Sequence, residues 1–282
     1  MTEPPRLPQF LIVGAIKAAT TWLNFQLQQS PRIFLPDPEP HFFSREYHRG
    51  FDWYAGFFRD AQPGQLVGEK TADYLANPHA AERIAAVLPA APLVAQLRDP
   101  VARAYSDYCM LFRRGTVGAN IEDYLDPRRA EFRRFLDNGL YHRHLTRWHQ
   151  LFPAEQLLVF LFEDVIDRPD WTIRTVGRHI GLAEDLLPKA MTDRVNDSRA
   201  ALLPLPMRRL LAPLKGLAAP LRGSRWFGAL HSSMARQVQY PPLAPELEAR
   251  LRDFYASDVQ ALASLIGRDL STWLPAPRAA AA

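Results

Sequence analysis

The sequence predicts an α/β fold: a central parallel sheet flanked by helices, with a phosphate-binding loop, nucleotide-kinase-like, and a helical carboxyl-terminal half. Three observations lead there. Short apolar runs alternate with amphipathic ones through the first half of the chain, the pattern of strands joined by crossover helices. The first run, Phe10–Val13, passes through Gly14 to Lys17, Thr20 and Thr21 and on into an amphipathic stretch, which is the order of strand, anion loop and helix. Asn77-Pro78 and Asp99-Pro100 each place a capping side chain directly before a proline, a helix-start signal.

Element by element, Phe10–Val13 is too short for a helix and is bounded by Gly14, so it reads as a buried strand. Thr20–Gln29 reads as a helix whose apolar side carries Trp22, Leu23, Phe25 and Leu27, and Pro36–Tyr47 as a proline-broken loop. Gln65–Leu75 holds a second strand ending near Gly68, followed by the helix that Asn77-Pro78 opens. Pro92–Pro100 is a third strand, feeding a helix after Asp99-Pro100; Gly139–Phe152 is a helix and Glu155–Asp164 a fourth strand. Without an internal repeat or a clean linker, residues 1–282 read as a single domain, with 1–8 and 276–282 as disordered tails. Leu202–Trp226, basic, apolar and cut by four prolines, reads as an irregular cover over a site, with peripheral membrane contact as the alternative.

Composition narrows the classes. The chain is 48% hydrophobic and 23% charged, an ordinary globular balance, and its net charge of +4 suits an anionic ligand without pointing to nucleic acid. Cys109 is the only cysteine, so neither an internal disulfide nor a cysteine metal cluster can form. The polar, proline-rich first residues lack the layout of a signal peptide, and no apolar run reaches membrane-spanning length; a cytoplasmic location is expected.

The loop after Gly14 leaves backbone N–H groups at a helix start, and Lys17, Thr20 and Thr21 add a charge and two hydroxyls. It is neither a Walker A loop nor a dinucleotide fingerprint, since GK[ST] and GxGxxG are both absent. Arg98, at the end of the third strand, falls on the same sheet edge, with Ser106 in the helix that follows. An arginine fork and a hydroxyl suit a second phosphate, unless Arg98 pairs with Asp99 instead. Glu39 and His41 stand two apart in an extended loop and are expected to point the same way. Glu69 and Lys70 close the second strand; a carboxylate flanked by lysines can stay ionised and still serve as a base. His142 and His144 lie two apart on a helix and diverge, which discounts a metal site there.

Taken in order, GAIKAATTWL, EPHFF, GEKTADYL, LRDPVARAYSDY and LYHRHLTRWHQLFP resemble the sulfotransferases that use 3'-phosphoadenosine 5'-phosphosulfate (PAPS). The likeness is to the branch of the heparan sulfate N- and O-sulfotransferases and their bacterial relatives. It spans Phe10–Pro153, about half the chain. The carboxyl-terminal FYASDVQALASLIGRDLSTWL also resembles the closing helix of bacterial members.

The resemblance implies that Lys17, Ala18, Ala19, Thr20 and Thr21 bind the 5'-phosphosulfate and that Arg98 and Ser106 bind the 3'-phosphate. It makes Glu39 the general base, places Lys70 near the sulfuryl group, and puts Tyr141 along the cofactor or acceptor pocket. His41 is the base to test if Glu39 is not. The family loop usually has glycine where Ala19 stands. The late basic loop over the 3'-phosphate has only Arg236 as a candidate, and the heparan branch's late cysteine pair is absent. The expected partner is an acceptor, a glycan or small metabolite, and no metal is needed. A phosphate-loop nucleotide kinase and a non-catalytic acidic-glycan-binding protein are the alternatives.

Overall fold

The computed structural model describes residues 6–189 and 237–276. Five parallel strands form the sheet in the order β2-β3-β1-β4-β5: β1 Phe10–Gly14, β2 Ile33–Phe34, β3 Leu66–Lys70, β4 Leu93–Leu97 and β5 Leu157–Leu161. Strand β1 is buried throughout because both faces are covered, which is why it reads as an unbroken apolar run rather than an alternation. Its side chains still alternate between layers. Phe10 and Ile12 join Val94 and Phe160 beneath helices α1 (Thr20–Gln28) and α9 (Pro169–His179). Leu11 and Val13 join the larger core of Phe42, Phe43, Tyr54, Tyr74 and Trp148. Gly68 of β3 lies flat under the Phe10 ring, where a Cβ would come within 2.1 Å of the ring, so no larger residue fits.

The expected alternation of strands and helices is present, with three corrections. A fifth strand, Ile33–Phe34, pairs parallel with Leu66 and Val67 at the sheet edge; two residues are too few to show any period. Strand β3 continues past Gly68 to Lys70, pairing Glu69 with Leu11 and Lys70 with Ile12. The helix after Asn77-Pro78, α3, starts only at Ala80, because the Asn77 Oδ1 accepts from the His79 and Ala80 amides in a preceding turn. Helix α4 (Pro100–Arg114) starts as the sequence predicts: Asp99 Oδ1 accepts from the amides of Val101 at 2.8 Å and Ala102 at 3.3 Å, with proline in the first turn. Arg6, read as tail, donates to the Ala61 carbonyl at 2.8 Å. The segment Leu202–Trp226 lies outside the described residues.

Short helices α2 (Gly50–Ala55), α5 (Glu122–Leu125) and α6 (Arg134–Asp137) fill the connections, and α7 (Tyr141–His149) packs against the long α10 (Pro245–Ile266). The start of α7 is capped from a distance. The Asp258 carboxylate on α10 accepts from the His142 and Arg143 amides at 3.0 and 3.1 Å, meeting donors that α7 itself leaves free. Beyond β5, α8 (Phe162–Asp167) carries Asp164, which caps the Leu161 amide and takes two bonds from Arg268, at 2.9 and 3.0 Å, and one from Arg168.

Asp164 thus ties the chain after α10 back to the sheet. Burial alone would raise its pKa, but the Arg268, Leu161 and Arg168 bonds hold it below the ordinary carboxylate value of 3.8. The stability it adds is therefore present above that ordinary value and is lost as pH falls through its depressed folded value. Asp164→Ala is expected to lower unfolding free energy by about 3 kcal/mol at neutral pH. Urea titrations at pH 7 and near pH 3 check this, and the variant's deficit should shrink in acid.

Candidate active site

In an open parallel sheet the ligand edge lies beyond the carboxyl ends of the strands. Three adjacent ends, β3, β1 and β4, carry the predicted groups, and with strand spacings near 4.8 Å they span roughly 10 Å.

The β1 end opens into the loop 15–19. Lys17 and Ala19 adopt positive φ, 66° and 67°, and Ala19 is the residue before α1. Such a conformation costs a residue with a Cβ roughly 1 kcal/mol, so the alanine at 19 is tolerated at a position where glycine is unstrained. The result is an array of donors. Among the described residues the backbone N–H groups of Lys17, Ala19, Thr20 and Thr21 have no carbonyl partner, while the Ala15 and Ala18 amides are used on Gln96 and Ala15. The Thr20 side chain is buried and Thr21 is half-buried.

Lys17 is the charge at this cradle. Its ammonium has the Met110 sulfur at 4.0 Å and no carboxylate in ion-pair contact among the described residues. Burial lowers its pKa first of all; buried Asp107 acts against this, and Arg98 and Arg114 lower it further. Arg98, from the β4 end, donates to the Lys17 carbonyl at 3.3 Å and lies over the Phe162 ring at 4.9 Å. The pairing of Arg98 with Asp99 that the sequence leaves open does not form: Asp99 caps α4 and pairs with Arg252 at 3.3 Å. Ser106 is half-buried on α4, four residues before Met110 and eight before Arg114, so the three share the helix face that meets Lys17. Arg114 was not singled out from sequence; this four-residue repeat was the available signal. Tyr141 is wholly buried under α10 beside Trp273, its phenol pushed up in pKa by burial, and lies near the backbone of Arg98. Arg236 lies outside the described residues.

At the β3 end, Lys70 donates to Glu39 Oε1 at 2.5 Å, with its side chain 11% exposed and that of Glu39 28% exposed. Glu39 Oε2 accepts from the Ala72 amide at 3.0 Å. Both oxygens are fixed, and each keeps lone-pair capacity for one further donor.

His41 does not share Glu39's partners. At φ 53° it departs from the extended loop the sequence suggested, and its Nδ1 meets Asp73 Oδ1 at 3.1 Å. That bond raises the His41 pKa above 6.5 against the opposing effect of burial. Asp73 also accepts from Arg45 and Ser44, and together with His41 they hold its carboxyl low despite burial. Glu69 is likewise not a second base beside Lys70. Its side chain points to the opposite face of β3, is fully buried, and accepts from three hydroxyls. His144 is buried on the Asp137 carbonyl, with its pKa pushed down by burial to about 4.

Residues 47–185 match the family described as the sulfotransferase family. Mouse heparan sulfate glucosamine 3-O-sulfotransferase 3B1 is 29% identical over 271 residues, which cover 94% of this chain and 64% of the relative. Human bifunctional heparan sulfate N-deacetylase/N-sulfotransferase 2 is 28% identical over 95% of this chain and 31% of its own length. Among solved structures, a sulfotransferase from Alicyclobacillus acidocaldarius superposes with a TM-score of 0.70 at 26% identity, covering 95% of this chain and 99% of that one. The chain is similar to the sulfotransferase family over that stretch and to its members over almost its whole length. It spans less than two thirds of the length of these curated relatives, 64% in the mouse case. No helix among the described residues is long and apolar enough to cross a membrane.

The His41–Asp73 pair gives this site a pH signature. Because the folded His41 pKa is raised, the stability it contributes is fully present below about 6.5 and lost as pH rises through the higher folded value. In Asp73→Asn the main raising interaction is removed, leaving burial and Arg45 against Glu39 alone, so the His41 midpoint should fall below its wild-type value. Proton NMR titration of the histidine ring signals in both proteins checks this.

Proposed function

We propose that this protein moves the sulfuryl group of PAPS to an acceptor hydroxyl or amine, with Glu39 as general base, and that the acceptor is a carbohydrate. The observation that carries the reading is the juxtaposition at neighbouring strand ends: a fixed Glu39–Lys70 pair at the end of β3 beside a cradle of free amides, Lys17 and Arg98 beyond the ends of β1 and β4. Paired acid–base and anion-binding groups on one edge suit transfer of an anionic group better than binding alone. The likeness to heparan sulfate sulfotransferases supports a glycan acceptor.

The residues fit the donor. Lys17 and the amides of Ala19, Thr20 and Thr21, with Ala18 shaping the turn, would hold the 5'-phosphosulfate; Arg98 and Ser106 would hold the 3'-phosphate. Bound there, the donor supplies an activated sulfuryl group and a phosphate leaving group. Glu39 accepts the proton of the acceptor as its oxygen or nitrogen approaches sulfur, an in-line displacement in which the protein contributes mainly position and charge. Lys17 and the helix start meet the charge that develops on the departing phosphate oxygen. Lys70 has three N–H donors and spends one on Glu39, leaving the others for sulfuryl oxygens. His41 spends its Nδ1 on Asp73, a bond that raises its pKa and favours its charged form beside Glu39.

The test is transfer of radiolabelled sulfate from PAPS to glycans and metabolites extracted from the host. Wild-type protein should label a glycan fraction. Glu39→Gln and Lys17→Ala should each lose about a hundredfold or more of the rate. Near-normal turnover in Glu39→Gln would remove Glu39 from the base role.

A further inference from the structure

Glu69 is a fully buried carboxylate that the reaction does not use. Its partners form a pattern. Tyr54 donates to Oε2, while Thr71 and Tyr74 donate to Oε1 at 2.6 Å each. Because each hydroxyl spends its proton on Glu69, its oxygen is turned outward as an acceptor. Two of the three then receive backbone donors from one short segment. The His41 amide donates to Thr71 Oγ1 at 3.4 Å, and the Phe43 amide donates to the Tyr74 hydroxyl at 3.1 Å. The third holds the residue between them: the Phe42 ring stacks on Tyr54 with centroids 4.2 Å apart and planes within 8°. Three consecutive residues, starting two after Glu39, are each held by a different side chain bonded to one carboxylate, two through hydroxyls and one through a ring.

We propose that Glu69 is a positioning residue for the reaction. It orients Thr71, Tyr74 and Tyr54 so that two hydroxyls and one ring clamp the segment 41–43, and thereby fixes where Glu39 meets Lys70. Strand β3 then serves the site from both faces: Lys70 on one face grips the Glu39 carboxylate, and Glu69 on the other anchors the backbone that delivers it. An ionised carboxylate suits the task because it only accepts: all three hydroxyls donate to it, and those of Thr71 and Tyr74 present their lone pairs to the backbone amides. A purely apolar residue would leave three buried hydroxyls without an acceptor and free to turn. The inference rests on reading Glu39 as the base, since a displaced 41–43 segment matters to turnover only through that residue.

The test uses the full chain carrying Glu69→Ala, Glu69→Gln, Thr71→Val or Tyr74→Phe. Three quantities are read: amide hydrogen exchange, calorimetric affinity for 3',5'-adenosine bisphosphate, and kcat and KM for PAPS with the labelled glycan fraction. In Glu69→Ala the His41 and Phe43 amides should exchange about tenfold faster or more, with β1 amides unchanged. Its kcat should fall about tenfold or more while KM for PAPS and bisphosphate affinity hold within about twofold. Glu69→Gln, which keeps an acceptor oxygen for Thr71 and Tyr74, should recover most of the loss. If Glu69→Ala does not fold, Thr71→Val should loosen His41 alone and Tyr74→Phe Phe43 alone. Unchanged exchange at both amides, or an equal rise across β1 and α4, overturns the proposal. A wild-type protein that transfers no sulfate sinks the proposed reaction instead, and the exchange result then decides alone whether Glu69 holds the segment.

Discussion

Positive charge without an ion-pair partner among the described residues is the constraint around which this sheet edge is arranged. Lys17 is half-buried in a loop whose amides also point their positive ends outward, and Arg98 leans on its carbonyl. Placing a cation among cations costs stability, and burial adds to that cost. The fold meets it only partly: Asp107, fully buried on α4, attracts Lys17 from a distance but is itself claimed by Arg103 and Arg134. An anion arriving at the loop therefore gains what the protein has withheld from itself.

The rest of the architecture serves to hold that edge still. Strand β1 is buried on both faces and supplies the rigid floor. The hydrogen bonds of Asp99 and Arg252 keep the start of α4 beside Arg98 and link it to α10. Asp258 on α10 caps α7, and Asp164 gathers Arg268 from the chain after α10, so the carboxyl-terminal helix is fastened at both ends of its contact with the sheet layer. Chemistry and support are divided between the faces of β3, where neighbouring side chains, Glu69 and Lys70, point to opposite sides.

Much of the fold was legible in the sequence because it is encoded locally. An apolar run closed by Gly14 gave β1, one set between Pro92 and Pro100 gave β4, and Asp99-Pro100 gave the start of α4 to the residue. The Lys17 loop and Arg98 could be placed on one edge because parallel topology forces strand ends together. What escaped was nonlocal or too short. Ile33–Phe34 has no period to read. The direction of His41 depends on a positive φ that a non-glycine residue does not announce, and on Asp73, thirty-two residues away. Glu69 looked like a second base because adjacency to Lys70 is visible in sequence, whereas the alternation of a strand sends them apart. Asp258 caps a helix more than a hundred residues before it, which no local pattern signals.

The central claim is that the edge is built for a nucleotide carrying phosphates at two separate places. Calorimetric titration of the protein with 3',5'-adenosine bisphosphate and with ATP tests it most directly. The account predicts tighter binding of the bisphosphate, and a loss of about tenfold to a hundredfold in Arg98→Ala, the worth of a charge-assisted bond. ATP binding more tightly than the bisphosphate would contradict it.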